Sequence, residues 1–223
     1  AATIAVPSTH ANSGGLRDLN LSSAAMDVNG KAYVAWHDCR FRAGCSSNDI
    51  VVSTSMNGET WSTPHRVPID PISSTVDHFL PGLEIEPGTG GPTAHIALTY
   101  YFYPQANCTA STCQLMEGYV SSPDAGNTWT APVILAGPIK LGWIADTDQG
   151  FMVGDYQSVS FVNGQAYPSF ASATANTGMF HEDMFSTASG LIDGLAINSS
   201  HGEQPVQGFH SDHLPLTTPA WVE

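Results

Sequence analysis

The sequence predicts an all-β protein made of repeated four-stranded antiparallel sheets, the arrangement found in a β-propeller. Residues 122–129 read Ser-x-Asp-x-Gly-x-Thr-Trp, a turn in which a carboxylate caps backbone N–H groups. Residues 54–61 repeat this turn with Thr at the Ser place and Met56 at the Asp place. A β-sandwich also has short strands at regular spacing, but it does not require the same turn and loop to recur in register.

The first repeat block is predicted to run from about residue 23 to 69. Asn29-Gly30 between two apolar runs is a strong signal for a tight hairpin. A polar loop with a cysteine pair follows, and then the first of the two turns. The predicted strands of this block are 24–28, 32–36, 49–54 and 61–68.

The second block repeats this order from about residue 80 to 136. Its cysteine pair lies in the loop that matches the first one, and the complete turn motif follows its third strand. The predicted strands are 81–85, 94–99, 115–121 and 133–135.

A third block, about 155–188, is predicted from weaker signals around the turn Asn163-Gly164. Pro168 has no N–H group to give to a ladder, so its strand is expected at a sheet edge or a bulge. Residues 189–223 are predicted to form a closing strand or a tail. The predicted strands of this block are 157–161, 166–170 and 184–187.

Charge excludes two classes of partner. The 223 residues carry 20 acidic and 6 basic side chains, a formal net charge of −14. Phosphate backbones and anionic membrane surfaces would be repelled, so neither is expected as a partner. No stretch has the length and apolarity of a membrane span, so membrane insertion is not expected either.

The four cysteines are predicted to form two local disulfides, Cys39–Cys45 and Cys108–Cys113, since their spacing in polar loops does not suit a metal cage. Disulfides are typical of oxidising compartments, so the protein is expected to be extracellular. Asn20, Asn107 and Asn198 begin glycosylation sequons, which have meaning only in a glycosylating host.

Residues 33–40 and 48–61 together resemble the Asp-box (BNR) repeat proteins of the sialidase superfamily. The resemblance covers roughly residues 16–187 and implies a sialidase-like β-propeller. Propellers of these sialidases have six blades, whereas about three are visible here. An open ring would expose sheet edges and apolar faces, so a separate N-terminal piece or a second copy is expected to complete it. Residues 1–7 are predicted to be a strand of a preceding blade.

Strand order divides the loops of each block between two faces. The turn motifs lie on one face, which gives Asp124 a structural role. The cysteine loops and the connections between blades lie on the other, where this family carries its ligand site. Candidate catalytic residues on that face are Asp38, Asp155, Tyr156 and Glu182. Candidate substrate-binding residues are Arg17, Arg40, Arg42, Asp77, His78, Tyr101, Tyr103 and Trp143.

The resemblance implies recognition of extracellular glycans, and a sialidase-type site would hydrolyse them with a tyrosine nucleophile, a glutamate base and an aspartate acid, while three arginines bind a sugar carboxylate. Other glycosidases use a pair of carboxyl groups instead. A non-catalytic lectin or adhesion module, and a structural protein that assembles through sheet edges, are the alternatives. No cofactor is predicted; calcium held by loop carboxylates, or a transition metal at His210 and His213, would be the metal alternatives.

Overall fold

The computed structural model describes residues 3–179 and 181–191, and this part of the chain is all-β. Its thirteen strands form four antiparallel sheets, and its only helical segments are four 3-10 turns of three residues each. The predicted closing strand or tail at 189–223, including His210 and His213, lies outside the described residues except for 189–191. The all-β prediction is confirmed.

The first sheet is a four-stranded meander that begins with a tight hairpin. Its strands, in spatial order, are β1 (Ser23–Met26), β2 (Ala32–Asp38), β3 (Asp49–Ser55) and β4 (His65–Arg66). The fourth strand is much shorter than the predicted 61–68, because only two residues continue the ladder with β3.

The second sheet is a longer meander with the same order of connections. Its strands are β5 (Asp77–Ile85), β6 (Ile96–Tyr103), β7 (Gln114–Ser122) and β8 (Val133–Lys140). β5 starts four residues before the predicted strand, and a bulge between Phe79 and Gly82 lets it bend while it stays paired with β6.

A small hairpin, β9 (Ala145–Thr147) and β10 (Gly150–Met152), separates the second and third sheets and was not predicted. The third sheet has three strands within the described residues. They are β11 (Ser158–Val162), β12 (Gln165–Thr174) and β13 (His181–Ser186).

Pro168 does not lie on an edge strand, so the edge alternative of that prediction is wrong. It lies within β12, the central strand of the third sheet, opposite Val159 of β11. On the other side the β12–β13 ladder stops at Ser169, and pairing resumes only as a bridge between Ala166 and Leu191. Pairing with β12 is therefore interrupted beside the proline. Because Pro168 has no N–H group to donate, an unbroken ladder would contain a gap there.

The two similar turns use the same side-chain contacts, but not in the predicted alignment. Asp124 Oδ1 accepts the backbone N–H of Thr128 at 2.7 Å and the Ser122 hydroxyl at 2.9 Å. In the first sheet, Asn57 Oδ1 accepts the backbone N–H of Thr60 at 2.9 Å. The first turn is one residue shorter, so Asn57 rather than Met56 takes the Asp position.

The second sheet is buried on both faces because it lies between the other two. Along β6, Ile96 and Leu98 pack toward the first sheet, whereas Tyr101 and Tyr103 pack toward the third. This alternation places the two faces of one strand in two different apolar clusters. In the cluster between the first and second sheets, the first sheet contributes Tyr33 and Ile50 among others.

The N-terminal segment forms no strand within residues 3–12, in contrast to the prediction for 1–7. Ile4 and Ala5 nevertheless pack on the outer face of the first sheet, against Val34, Trp36 and Val51. The chain then crosses the loop face, where the Ser8 carbonyl accepts the N–H of Cys39 at 2.7 Å. Apolar contact holds this segment in place without strand pairing.

Both predicted disulfides are formed, Cys39–Cys45 and Cys108–Cys113. Two bonds of this kind are typical of proteins from an oxidising, extracellular environment. Among the described residues, no helix has the length and apolarity to cross a membrane. The Asn20 side-chain amide is buried, which does not suit glycan attachment there.

Gly82 is expected to be intolerant of any side chain. A Cβ at this position would lie 2.8 Å from the Gln157 carbonyl oxygen and 2.9 Å from Thr99 Cγ2, where β5 meets the entrance to the third sheet. Gly82→Ala should therefore lower the free energy of unfolding by about 1–3 kcal/mol, measured by urea denaturation. Gly142→Ala is the matched control, because no atom lies within 4 Å of its Cβ position. Equal loss in both variants would contradict this close approach.

Candidate functional site

The first strands of the three sheets start on the same face of the molecule, and polar residues stand at each start. Arg17 and Asp18 precede β1, Asp77 is the first residue of β5, and Asp155 precedes β11. We call these four residues the entry centre. They come from distant parts of the sequence and are brought together because β1 and β11 both pack beside β5.

Arg17 and Asp155 join the starts of the first and third sheets. Both terminal nitrogens of the Arg17 guanidinium donate to the Asp155 carboxylate, and its Nε donates to Gln149 Oε1 at 2.8 Å. The backbone N–H of Arg17 also donates to the Phe151 carbonyl at 2.7 Å, which fixes the segment. The side chain of Asp155 is 37% exposed and that of Arg17 is 14% exposed, so the carboxylate is the accessible part of this rim.

Asp18 lies beneath this rim, with 3% of its side chain exposed. Asn12 Nδ2 donates to its Oδ2 at 2.7 Å, and its Oδ1 has no hydrogen-bond partner in the described part of the chain. Burial, together with the negative charge of Asp77, raises the pKa of Asp18 to about 8. Its carboxyl group therefore holds a proton at neutral pH.

The contact between Asp18 and His37 is one between neutral groups. His37 Nε2 lies 3.4 Å from Asp18 Oδ2, within the distance of an ion pair. However, burial lowers the pKa of His37 to about 4, while the pKa of Asp18 is raised. Neither group is charged at pH 7, so the pair adds no net charge to the site.

Asp77 is the ionised partner of Asp18. Burial raises the pKa of Asp77 to about 6, although hydrogen bonds from the Asn48 backbone and from His10 oppose this rise. Asn48 donates its backbone N–H at 2.6 Å and its amide at 2.9 Å to Asp77 Oδ1, and His10 Nδ1 lies 3.3 Å from Oδ2. Tyr103 stands opposite Asp77 in the ladder, and its buried hydroxyl has no partner among the described residues.

Two neighbouring carboxyls, one protonated and one ionised near neutral pH, can give and take a proton in the same site. The segment 8–13 lies over them. His10 donates its backbone N–H to Asn48 Oδ1 at 2.8 Å, and Ser13 Oγ donates to the Ala106 carbonyl at 2.5 Å. A ligand would therefore meet the exposed Arg17–Asp155 rim before it reached the carboxyl pair.

The other arginines are bound to carboxylates of the first sheet and its loops. Arg40 makes a two-point contact with Asp38, Nε to Oδ1 at 2.9 Å and Nη2 to Oδ2 at 2.6 Å. Burial favours a higher pKa for Asp38, but the hydrogen bonds from Arg40 and Trp36 hold that pKa below its ordinary value. Asp38 and Arg40 therefore stabilise the cysteine loop and neutralise each other.

Arg42 lies in a buried network with Arg66, Asp49 and Asp70. Its Nε donates to Asp49 Oδ2 at 2.9 Å and its Nη2 to Asp70 Oδ1 at 2.7 Å. The Arg66 Nε lies 2.8 Å from Asp49 Oδ1. Asp49, Asp70 and His78 have ligand atoms within 4.8 Å of one another, a spacing that suits a metal ion. Two guanidinium groups already balance the two carboxylates, so the charge that would attract a cation is absent.

The remaining predicted site residues are dispersed. His78 is buried against the rings of Tyr100 and Phe102, and the Tyr101 hydroxyl donates to the Ala171 carbonyl at 2.7 Å. These are core contacts that leave no ring face for stacking on a sugar.

Three predicted residues lie in or beside the connection to the third sheet. Trp143 is partly buried in the core, with the Lys140 ammonium 5.5 Å from its ring centre. Glu182 of β13 accepts the Ala145 N–H at 2.8 Å, and its burial raises the pKa of the carboxyl. Tyr156 is 71% exposed and follows Asp155 directly, so it extends the accessible rim.

Sequence reasoning missed Asp18, His10, Asn12 and His37. A usable signal existed for Asp18, since a polar doublet stands near the first strand of each block: Arg17-Asp18, Asp77-His78 and Asp155-Tyr156. His37 had no such signal, because it is one residue of an apolar strand and its role depends on which neighbours bury it.

A cleft of about 440 Å³ lies on the face of the two similar turns, away from the entry centre. Its lining includes Lys31, Thr54, His65, Asn127 and Trp129. It marks the gap between the outer part of the first sheet and the Asp124 turn.

Asp18 is expected to make the fold less stable as the pH rises from about 6.5 to 8. A group whose folded-state pKa is raised, here from 3.8 to about 8, stabilises the fold fully only at low pH and loses that contribution as pH rises. Over this window the loss is about 2 kcal/mol. Below pH 6.5 the buried His37 and His78, both with a pKa of about 4, act in the opposite direction.

Urea denaturation of the wild type at pH 6.5 and pH 8 measures this loss. Asp18→Asn should lose about 2 kcal/mol less than the wild type over this window, because the amide mimics the protonated acid at both pH values, while Glu59→Gln on an exposed turn should lose as much as the wild type. Burial also raises the pKa of Glu117, and its contribution to the loss remains in all three proteins. The interpretation of Asp18 as a buried neutral acid fails if the wild type and Asp18→Asn show the same pH dependence.

No protein-family model matches the sequence, and no curated protein matches it. Among solved structures, the chain is similar to a protein of unknown function from Dyadobacter fermentans DSM 18053, with a TM-score of 0.46 and 12% identical residues. The match covers 82% of this chain and 53% of that one, so the chain spans about half the length of that structure.

Proposed function

We propose that the three sheets are consecutive blades of a sialidase-like β-propeller, and that the protein binds extracellular glycans at the entry centre. The meander order within each sheet, the stacking of the sheets in sequence order and the two similar turns support the blade assignment. The disulfides support an extracellular location. In this arrangement β1, β5 and β11 are the innermost strands, and their starts surround the axis.

The observation that carries the functional proposal is the meeting of polar residues from all three sheets at one place. Asp155 offers an exposed carboxylate backed by the half-buried guanidinium of Arg17, and Tyr156 adds an exposed aromatic ring; these groups suit sugar hydroxyls and sugar C–H faces. The cores between the sheets hold these groups in place, as binding sites on rigid scaffolds require.

Hydrolysis at this centre is favoured by the carboxyl pair beneath the rim. Glycoside hydrolysis needs one protonated acid to protonate the leaving oxygen and a second, ionised carboxylate as base or nucleophile. The raised pKa of Asp18 suits the first role, and Asp77 suits the second. The substrate would have to displace part of the segment 8–13 to reach them. Without such access the protein is a lectin with the same binding rim.

A glycan array followed by a reducing-end assay on the glycans that bind tests both parts. Asp155→Asn should weaken glycan binding roughly tenfold, because a charge-assisted contact to the ligand and to Arg17 is lost. Asp18→Asn should leave binding near the wild-type value and reduce hydrolysis about 100-fold or more. Glu59→Gln, on the opposite face, is the control for both measurements.

Binding without hydrolysis by the wild type would support the lectin and reject catalysis. The absence of binding to any glycan would reject the proposed function. An unchanged affinity in Asp155→Asn would move the binding site away from the entry centre.

We also propose that a second polypeptide or a second copy of this chain completes the ring. The third sheet has only three strands within the described residues, and Met184 on its outer strand is 54% exposed. A three-blade array leaves apolar sheet faces that a partner would cover.

Light scattering coupled to size exclusion of the native material should therefore give a mass well above the 23.6 kDa of one chain. Peptide analysis of the same peak would distinguish a second copy from a different polypeptide. A compact species of 23.6 kDa would contradict ring completion.

A further inference from the structure

The arginines of this chain decide which kind of sugar the entry centre can take. The sequence has four arginines, all in the described part of the chain, and each one contacts at least one carboxylate of the chain itself. Binding a sugar acid requires a guanidinium group that is free to form a two-point contact with the ligand carboxylate.

Arg17 is the only arginine of the entry centre, and Asp155 already occupies it. A ligand carboxylate would have to replace Asp155 and would leave that acid next to a second negative charge. The exchange gains no new ion pair and adds repulsion, so it disfavours an acidic sugar. Arg40 and Arg42 are held in the same way by Asp38 and by Asp49 with Asp70.

Neither lysine supplies the free positive charge that a ligand carboxylate would need at the entry centre. Lys31 lies in the turn between β1 and β2, on the opposite face, with its ammonium 4.9 Å from the ring centre of Tyr33. Lys140 ends β8, the strand of the second sheet farthest from β5, and faces Trp143. Neither lysine stands at the start of a first strand.

Acidic groups, in contrast, surround the entry centre. Asp77 and Asp155 belong to it, and Asp146 and Asp148 are exposed on the neighbouring β9–β10 hairpin. The buried hydroxyl of Tyr103 beside Asp77 and the free Oδ1 of Asp18 add unpartnered polar atoms that are more than nine-tenths buried. Such atoms need a hydrogen-bonding partner, and the Tyr103 hydroxyl can accept a hydrogen bond from a ligand donor.

On the basis of the proposed glycan binding at this centre, on which this step rests, we infer that the ligand is an amino sugar with a protonated amine, and not a sialic acid. An ammonium group has three N–H donors and a positive charge, which match the exposed carboxylates of Asp146 and Asp148 beside a guanidinium that is already occupied. The net charge of −14 acts in the same direction, because it attracts a cationic oligosaccharide and repels an anionic one.

Three probes separate the ligand classes by calorimetry or by an immobilised-glycan assay on the purified protein. They are a β-linked glucosamine tetramer, the same tetramer with N-acetyl groups, and sialyllactose. The glucosamine tetramer should bind at least tenfold more tightly than its N-acetylated form, and sialyllactose should bind least. Raising the salt concentration should weaken the glucosamine tetramer most, since its attraction is partly ionic.

Asp146→Asn combined with Asp148→Asn tests the acidic rim without altering Arg17, Asp18, Asp77 or Asp155. The double variant should lose preference for the amine over the N-acetyl form, whereas Glu59→Gln should keep it. Tighter binding of sialyllactose or of the N-acetylated tetramer would overturn the inference and leave glycan binding intact. Binding of none of the three, with no binding on a wider glycan array, would overturn the proposed function itself.

Discussion

Burial of the second sheet on both faces is the constraint on which the other features depend. A strand that packs on two sides needs apolar residues in succession, and β6 provides them from Ile96 to Tyr103. At Gly82, where no side chain intervenes, the backbone of Gln157 before the third sheet comes close to β5. The first strands of the two neighbouring sheets are held beside β5, and the polar residues at the strand starts are drawn together.

The polar groups that result fall into two electrostatic classes. Around the cysteine loop of the first sheet, guanidinium groups and carboxylates balance one another, as in the network of Arg42, Arg66, Asp49 and Asp70. Buried pairs of this kind define a loop geometry more than they add stability. At the entry centre the balance is incomplete, because Asp18 and Asp77 share one buried region with His37, whose lowered pKa leaves its ring neutral at pH 7. Uncompensated buried acids are more typical of functional sites than of scaffolds.

Several polar residues that suggested chemistry prove to have structural roles. Three of them have suitable residue types and lie on or near the expected face, but each already has a partner within the protein. Asp38 is paired with Arg40, the Tyr101 hydroxyl donates to the Ala171 carbonyl, and His78 packs against the aromatic rings of β6. Residue type and strand order place a side chain near a face but do not show whether a partner from another part of the chain is already bound to it. Asp18 is the reverse case, since its importance comes from its burial and from the nearby Asp77.

The sequence by itself determined the all-β class, the first two four-stranded meanders, the two disulfides and the structural role of Asp124. Each of these depends on local signals: alternating apolar residues, turn residues and cysteine spacing. Only the tertiary structure decided that Pro168 lies in a central strand, that Asn57 takes the turn position assigned to Met56, and that Asp18 meets Asp77. These depend on contacts between residues far apart in the chain. Sequence patterns of period two specify which face a residue takes, but not which distant residue shares it.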